Sequence, residues 1–319
     1  MRELLLALHI PDGFLSIEVA IVGWILVFPI LAYALRQTKR HLGERQVPFL
    51  GVIAAFIFAA QAINFPVAAG TSGHLLGGAL AAILLGPWAA TVIMIAVIVI
   101  QALLFQDGGL VVMGWNIINM GVITSFTGYA AYILVRRVLG NRSGSRLSGA
   151  FFGAWLSVVV ASLATAIELA SSGTVPLRLA LPAMASVHIL IGVGEAIITL
   201  GAVSLLLVLR PELITSGEMA PGRKVAYFTV AGILLVLFVA ALSPFASTNP
   251  DGLEAVAAQG GFLQLGENPV YEIFPDYVFP LIQHETVATF LAVGVGAMIV
   301  FVISILIGRR AARPQGVSK

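Results

Sequence analysis

Residues 74–105 read HLLGGALAAILLGPWAATVIMIAVIVIQALLF, a stretch of 32 residues without one Asp, Glu, Lys or Arg. About 20 apolar residues suffice to cross a hydrocarbon core of about 30 Å, so this stretch is too long for a single helix of ordinary tilt. Gly86-Pro87 divides it, because proline cannot continue helical hydrogen bonding. The first piece, His74–Leu85, is then unusually short, and the second, Pro87–Phe105, is of full length. Short membrane segments bounded by glycine often line a binding site, since irregular backbone at membrane depth survives only where protein or a cavity satisfies it.

Composition extends that reading to the whole chain. Its 319 residues are 59% hydrophobic and only 10% charged, against roughly 25% charged residues in a soluble domain. Too little polar surface remains for a soluble globule. A net charge of +2 over so apolar a chain forms no basic groove, which argues against nucleic-acid partners as well as against disorder and collagen. There is no cysteine, so disulfides, thiolate metal sites, iron–sulfur clusters and cysteine nucleophiles are excluded. Any metal must be held by nitrogen or oxygen.

The expected fold is an all-α integral membrane protein with nine transmembrane helices, near Ile17–Leu35, Phe49–Phe65, His74–Leu85, Pro87–Phe105, Leu110–Val135, Ser148–Ala170, Pro182–Leu209, Val225–Leu242 and Thr286–Ile307. Charge orients them. With the amino terminus outside and the carboxyl terminus inside, segments 36–47, 136–147, 210–224 and 308–319 face the cytoplasm and hold 15 of the 17 Lys and Arg residues, as the positive-inside bias requires. The last outer loop has the opposite sign. It contains Asp251, Glu254, Glu267, Glu272, Asp276 and Glu285 without one Lys or Arg, and it serves either to concentrate cations or simply to keep the loop solvated.

Hydrolytic machinery is missing from the sequence. No Gly-x-x-x-x-Gly-Lys-Ser/Thr phosphate loop occurs, so the chain is not by itself an ATPase of that type. His284-Glu285 would need a second histidine at 288, where alanine stands. Two histidines draw attention by context. His9 precedes Pro11-Asp12-Gly13, a strong turn signal that folds it back toward the bundle, with Ser16 placed to cap the first helix. His74 opens the short segment after Gly70-Thr71-Ser72-Gly73, where the helix N-terminus favours a neutral ring, the form that binds metal. Taken alone, a single imidazole of this kind is more often a hydrogen-bonded structural residue than a ligand.

His9-Ile-Pro-Asp-Gly-Phe-Leu-Ser16, Gly70-Thr-Ser-Gly-His-Leu-Leu-Gly-Gly-Ala-Leu-Ala-Ala-Ile-Leu-Leu-Gly-Pro-Trp88 and Pro250-Asp-Gly-Leu-Glu254 together resemble the nickel/cobalt-specific substrate-binding subunit of energy-coupling-factor transporters, fused to the accessory subunit named for its Pro-Asp-Gly-Leu-Glu sequence. The resemblance implies four parts: a metal-binding domain over 8–210, a cytoplasmic linker over 211–224, an accessory domain with two transmembrane helices over 225–307, and a basic tail over 308–319. It also implies substrate capture for an ATP-driven importer of Co(II) or Ni(II), with no permanent cofactor. The expected partners are a transmembrane coupling subunit, separate cytoplasmic ATPase subunits and the lipid bilayer.

For the site, the resemblance implies a terminal amine, the backbone nitrogen and imidazole of the following histidine, and a second imidazole from the Thr-Ser-Gly-His segment. Here those groups belong to Leu8, His9 and His74. Four nitrogens in a plane suit Ni(II) or Cu(II). The amine of Leu8 is free only if the chain starts there, so the mature protein is expected to begin at residue 8, at a leucine codon read as an alternative start. Processing before Leu8 or a different coordination are the alternatives.

Asn64, Thr71, Ser72, Asn116, Asn119, His188 and Glu195 are candidates for lining the same cavity, or for bonding helix to helix. Asp251, Glu254 and His284 are candidates for capturing metal at the outer loop. Two rival functions remain at this point: an ion-gradient carrier relaying protons through Glu168, His188 and Glu195, and an intramembrane metal-dependent hydrolase.

Overall fold

The structure is a computed structural model that describes residues 9–68, 70–140, 142–215, 223–271 and 273–312. Helix α1 (Ile17–His41) starts at Ser16, whose side chain accepts from the Val19 amide, and has Lys39 and Arg40 in its last turn, cations that complement the negative end of the helix dipole. Helix α2 (Val47–Gln61) begins with proline in its first turn, where the missing amide proton costs nothing. A two-residue ladder joins β1 (Phe65–Pro66) to β2 (Ser72–Gly73). Helices α3 (Gly78–Leu85) and α4 (Pro87–Ile100) meet at Gly86-Pro87, as expected. A π turn over Gln101–Phe105 closes α4.

Helices α5 (Met113–Asn116) and α6 (Thr124–Leu139) are joined by a π segment, Ile117–Ile123, into one rod. Then come α7 (Ser143–Ser171), α8 (Leu177–Leu209), the short α9 (Pro211–Thr215), α10 (Arg223–Ala240), α11 (Gly252–Gly260) and α12 (Glu285–Ala311). Helix α8 starts five residues earlier than expected, because Pro182 is accommodated inside it. Helix α7 lies against α6 and α8, and the approach is close: a Cβ on Gly153 would stand 2.6 Å from the Gly128 carbonyl oxygen.

Among the described residues, seven helices are long and apolar enough to span a membrane. Their outward faces are apolar as well, as with Ile17, Ile21, Ile25 and Phe28 on α1, and the chain is a multi-pass membrane protein. Two of the nine expected spans differ from expectation. Helix α2 has 15 residues, about 22 Å, and α3 has 8, about 12 Å, so neither alone covers a core of about 30 Å. Helix α2 is buried against α4, α10 and α12, and α3 against α4, α6 and α7. The described residues of 62–77 run as non-helical backbone between them, and Gly73 and Gly77 both belong to that loop. This irregular stretch leads into the site.

Candidate metal centre

The site is built from three loops at the same end of the bundle. The first contains His9. Asn116 grips the peptide of Ile10 from both sides, its Oδ1 accepting from the Ile10 amide at 3.1 Å and its Nδ2 donating to the Ile10 carbonyl at 3.0 Å. The Gly109 amide donates to the same carbonyl. Two residues on, the Asp12 carboxylate accepts from the amides of Leu110, Val111 and Val112 at 2.9–3.1 Å. Residues 9–12 are thus fastened to the loop after α4. That loop also carries Asp107, whose Oδ1 accepts from His9 Nδ1 at 2.8 Å.

The second loop contains His74. Glu195 of α8, fully buried, accepts from the Leu76 amide at 2.6 Å and the Gly77 amide at 2.9 Å, while Gln61 donates to the Leu76 carbonyl at 2.8 Å. Glu195 therefore anchors backbone and does not line the cavity, contrary to expectation. Its carboxylate does for this loop what a helix would have done with its own carbonyls. His74 lies just before the anchored pair, and its Nδ1 donates to the Leu75 carbonyl at 3.0 Å.

Between the loops lies a cavity of about 80 Å³ bordered by His9, His74, Asn116, Asn119, His188 and Asp251. The rings of His9 and His74 are edge to face, 5.5 Å between centroids. In both rings Nδ1 is held by an oxygen, of Asp107 for His9 and of the Leu75 carbonyl for His74. His9 Nε2 is buried and has no hydrogen-bond partner among the described residues. His188 is arranged the same way, with Nδ1 donating to the Met184 carbonyl at 2.8 Å. Asn119 donates to Glu168 at 2.8 Å and to Thr165 at 3.2 Å.

The third loop is the roof. Pro250-Asp251-Gly252-Leu253-Glu254 is the start of α11 and forms a capping box: the Asp251 carboxylate accepts from the Glu254 amide at 2.7 Å, and Glu254 accepts from the Asp251 amide at 2.9 Å. Reciprocal capping of this kind fixes where a helix begins. The Ser72 amide donates to the Pro250 carbonyl, and its hydroxyl donates to Asn249, each at 2.8 Å. Gly252 sits directly on His188, where a Cβ would stand 2.8 Å from Cε1. Burial, then the neighbouring Glu254 charge, pushes the Asp251 carboxyl well above its usual value; Glu254, raised mainly by burial, reaches about 7. Asp107 behaves oppositely. Burial would raise it, but the His9 ring and the hydrogen bonds from His9 and Tyr277 hold it below the usual carboxylate value.

Several expected site residues serve other ends. Thr71 donates to the Ala68 carbonyl at 2.6 Å and closes a local turn. Ser72 binds the roof. Asn64 meets the accessory part through its backbone, its carbonyl accepting from the Ser247 amide. His284 is the exposed residue preceding α12 and stands apart from the cavity. Leu8 lies outside the described residues. Glu168, His188 and Glu195 each have separate partners, and no relay is formed from them. Asp12, Asp107 and Tyr277 were missed, since an acid beside glycine between two spans reads as an ordinary turn. Among the described residues no group of three or more His, Asp or Glu side chains is set to hold a metal, so an ion here would need donors beyond such a cluster.

Comparison with known proteins bears on the whole chain. A family model for the cobalt uptake substrate-specific transmembrane region matches residues 9–213, and one for the PDGLE domain matches residues 226–313. The chain is 37% identical to the putative fused nickel transport protein of Archaeoglobus fulgidus, over 95% of this chain and 99% of that one. It is 33% identical to a cobalt transport protein of Sorangium cellulosum, over 68% of this chain and 100% of that one. A crystal structure described as a truncated transition metal transporter superposes with a TM-score of 0.57 at 34% identity, covering 63% of this chain and 98% of that one. This chain belongs to the family of the cobalt uptake substrate-specific transmembrane region, which it carries in one polypeptide with a PDGLE domain.

Proposed function

We propose that this protein captures Ni(II) or Co(II) at the outer face of the cytoplasmic membrane, as the substrate-binding component of an ATP-driven importer. The edge-to-face meeting of the His9 and His74 rings at a buried cavity carries this reading. Two imidazoles that share one ion at about 2.0–2.1 Å per nitrogen have ring centroids about 4.5–6.5 Å apart, and the observed 5.5 Å falls within that span. The borderline-soft imidazole donor suits late first-row metals. Relatives named as nickel and cobalt transport proteins support the same ion class.

The ion is cargo, and no resident cofactor or catalysis is assigned to the chain. A transmembrane coupling subunit and cytoplasmic ATPase subunits would be separate partners. The distribution of basic residues supports an external amino terminus and an internal carboxyl terminus, with α2, α3 and the loop between them acting as the second and third of nine crossings. Residues 8–210 would form the metal-binding domain, 211–224 a cytoplasmic linker, 225–307 the accessory domain and 308–319 a cytoplasmic tail.

The amine of residue 8 supplies a further nitrogen when the mature chain begins there. Ring closure through the His9 amide to its own imidazole uses Nδ1, which would exchange the Asp107 carboxylate for the ion, with the His74 imidazole as the fourth nitrogen. Metal analysis of the purified chain, together with its amino-terminal sequence, tests the proposal. One equivalent of nickel or cobalt on a chain starting at residue 8 is expected; a metal-free chain after equilibration with both ions would refute the capture reading.

A further inference from the structure

His9 precedes the start of α1, and a second, larger hollow opens toward the other end of that helix. This groove of about 620 Å³ runs between α1, α4 and α12, within the range of about 300–1,000 Å³ common for small-molecule sites. Its floor is one stripe of α4. Val92, Ile95, Ala96, Val99 and Ile100 follow one another at i, i+3, i+4, i+7 and i+8, the spacing of a single helical face. One wall is formed by Leu31 and Leu35 of α1, the other by Ile303 and Ile307 of α12. The α4 stripe is about 12 Å long, against about 15 Å for one leaflet of a 30 Å hydrocarbon core.

Charge is confined to one end of this groove. On both walls the apolar residues come first and the cations last: Arg36 and Lys39 follow Leu35 on α1, and Arg310 follows Ile307 on α12, toward the ends of both helices. All three cations are exposed. No acidic residue lines the groove, and among the described residues none of the three is ion-paired. Like charges gathered at one mouth repel each other, and an anion placed among them relieves that repulsion.

We infer that the groove is a binding site for one anionic phospholipid, with an acyl chain along the α4 stripe and the phosphate held by Arg36, Lys39 and Arg310. Basic pockets between transmembrane helices take anionic headgroups in this manner. A soluble phosphate would use only the cations and leave the apolar floor uncovered. A neutral lipid would cover the floor and leave the cations unanswered. Helices α1 and α4 fall in the region matched to the cobalt uptake family and α12 in the PDGLE domain, so the lipid bridges the two parts. Its occupancy is independent of which ion the metal centre takes.

The test follows thermal unfolding of the purified full chain in detergent as phosphatidylglycerol or phosphatidylcholine with the same acyl chains is added. Phosphatidylglycerol is expected to raise the midpoint saturably, as a ligand of the folded state does, and phosphatidylcholine to leave it unchanged. Arg36→Gln, Lys39→Gln and Arg310→Gln combined should weaken the response roughly 100-fold in lipid concentration, about fivefold per cation. Arg137→Gln, Arg142→Gln and Arg178→Gln combined remove equal charge from exposed positions outside the groove and should respond as the parent does. Equal responses to the two lipids, a parental response in the groove variant, an equal loss in the control variant, or the same shift from inorganic phosphate alone would each overturn the inference. A photoreactive amino acid at position 307 distinguishes lipid from a protein partner in cells: a phospholipid adduct is expected, and adducts confined to another protein would overturn it.

Discussion

His9 and His74 lie 5.5 Å apart between ring centroids with their planes 73° from parallel, although one belongs to the segment before the first helix and the other to a loop between two buried helices. Neither loop could hold its imidazole alone. The first is clamped by Asn116 and Asp12, and the second by Glu195 and Gln61.

Single substitutions should therefore abolish capture while leaving the fold intact. His9→Ala and His74→Ala are each expected to weaken Ni(II) and Co(II) binding by at least 100-fold, measured by competition with a chelator of known affinity. Circular dichroism and elution volume should stay at parental values, because the backbone of each loop is anchored by other residues, Asn116 and Asp12 for the first and Glu195 and Gln61 for the second. Retained affinity in both variants would remove the proposed site.

The clamp beneath His9 is testable by stability. Asp12→Ala strands the amides of Leu110, Val111 and Val112. Losing hydrogen bonds to a charged acceptor costs about 1.5–3 kcal/mol each where water cannot replace it; this carboxylate is partly accessible, so the expected loss is at the lower end, about 2–4 kcal/mol in all. Thermal unfolding in detergent reads it directly. Asp12→Asn, which keeps an acceptor, should recover about half.

Gly252 has no room for a side chain. A Cβ would meet Ile191 Cδ1 at 2.7 Å and His188 Cε1 at 2.8 Å, so Gly252→Ala should lift the start of α11 from the cavity. Overpacking of this kind costs about 1–3 kcal/mol. Hydrogen exchange at amides 252–260 should accelerate in that variant, and His188→Ala in the same chain should slow it again by clearing the space.

The roof should also respond to pH. Glu254 has an ordinary value of 4.5 and is raised to about 7, mainly by burial, with Asp107 and Asp276 adding to the effect. A raised carboxyl favours the docked state most when protonated. That contribution is fully present below 4.5 and is lost as pH rises to about 7. Protection of the α11 amides should decline across this window. Glu254→Gln should flatten the decline, and an unchanged profile in that variant would assign the effect to Asp251.

The sequence displayed the membrane character and the two histidines, because a 32-residue uncharged run and a Pro-Asp-Gly turn are local signals. It also located the Gly86-Pro87 break and the Ser16 cap. The lengths of α2 and α3 were hidden, since apolar loop residues such as Ile63, Phe65 and Val67 read like helix in a hydropathy window. Glu195 was misplaced for a related reason. A buried acid in a membrane helix signals some partner, but pairing with the amides of Leu76 and Gly77 depends on a loop that departs from helical geometry. Tyr277 was out of reach altogether: its turn is set by tertiary stacking on Phe105 and not by its own neighbours.

The cavity also bears on hydration. Three imidazoles, of His9, His74 and His188, border it among largely apolar neighbours, so an ion seated there would exchange inner-sphere water for nitrogen. Mg(II) gives up water reluctantly and is bound through oxygen. The nearby carboxylates are already engaged, Asp107 by His9 and Tyr277 and Asp251 by the Glu254 amide. A hard cation would gain little for the water it lost, whereas a late transition ion would recover the loss through imidazole.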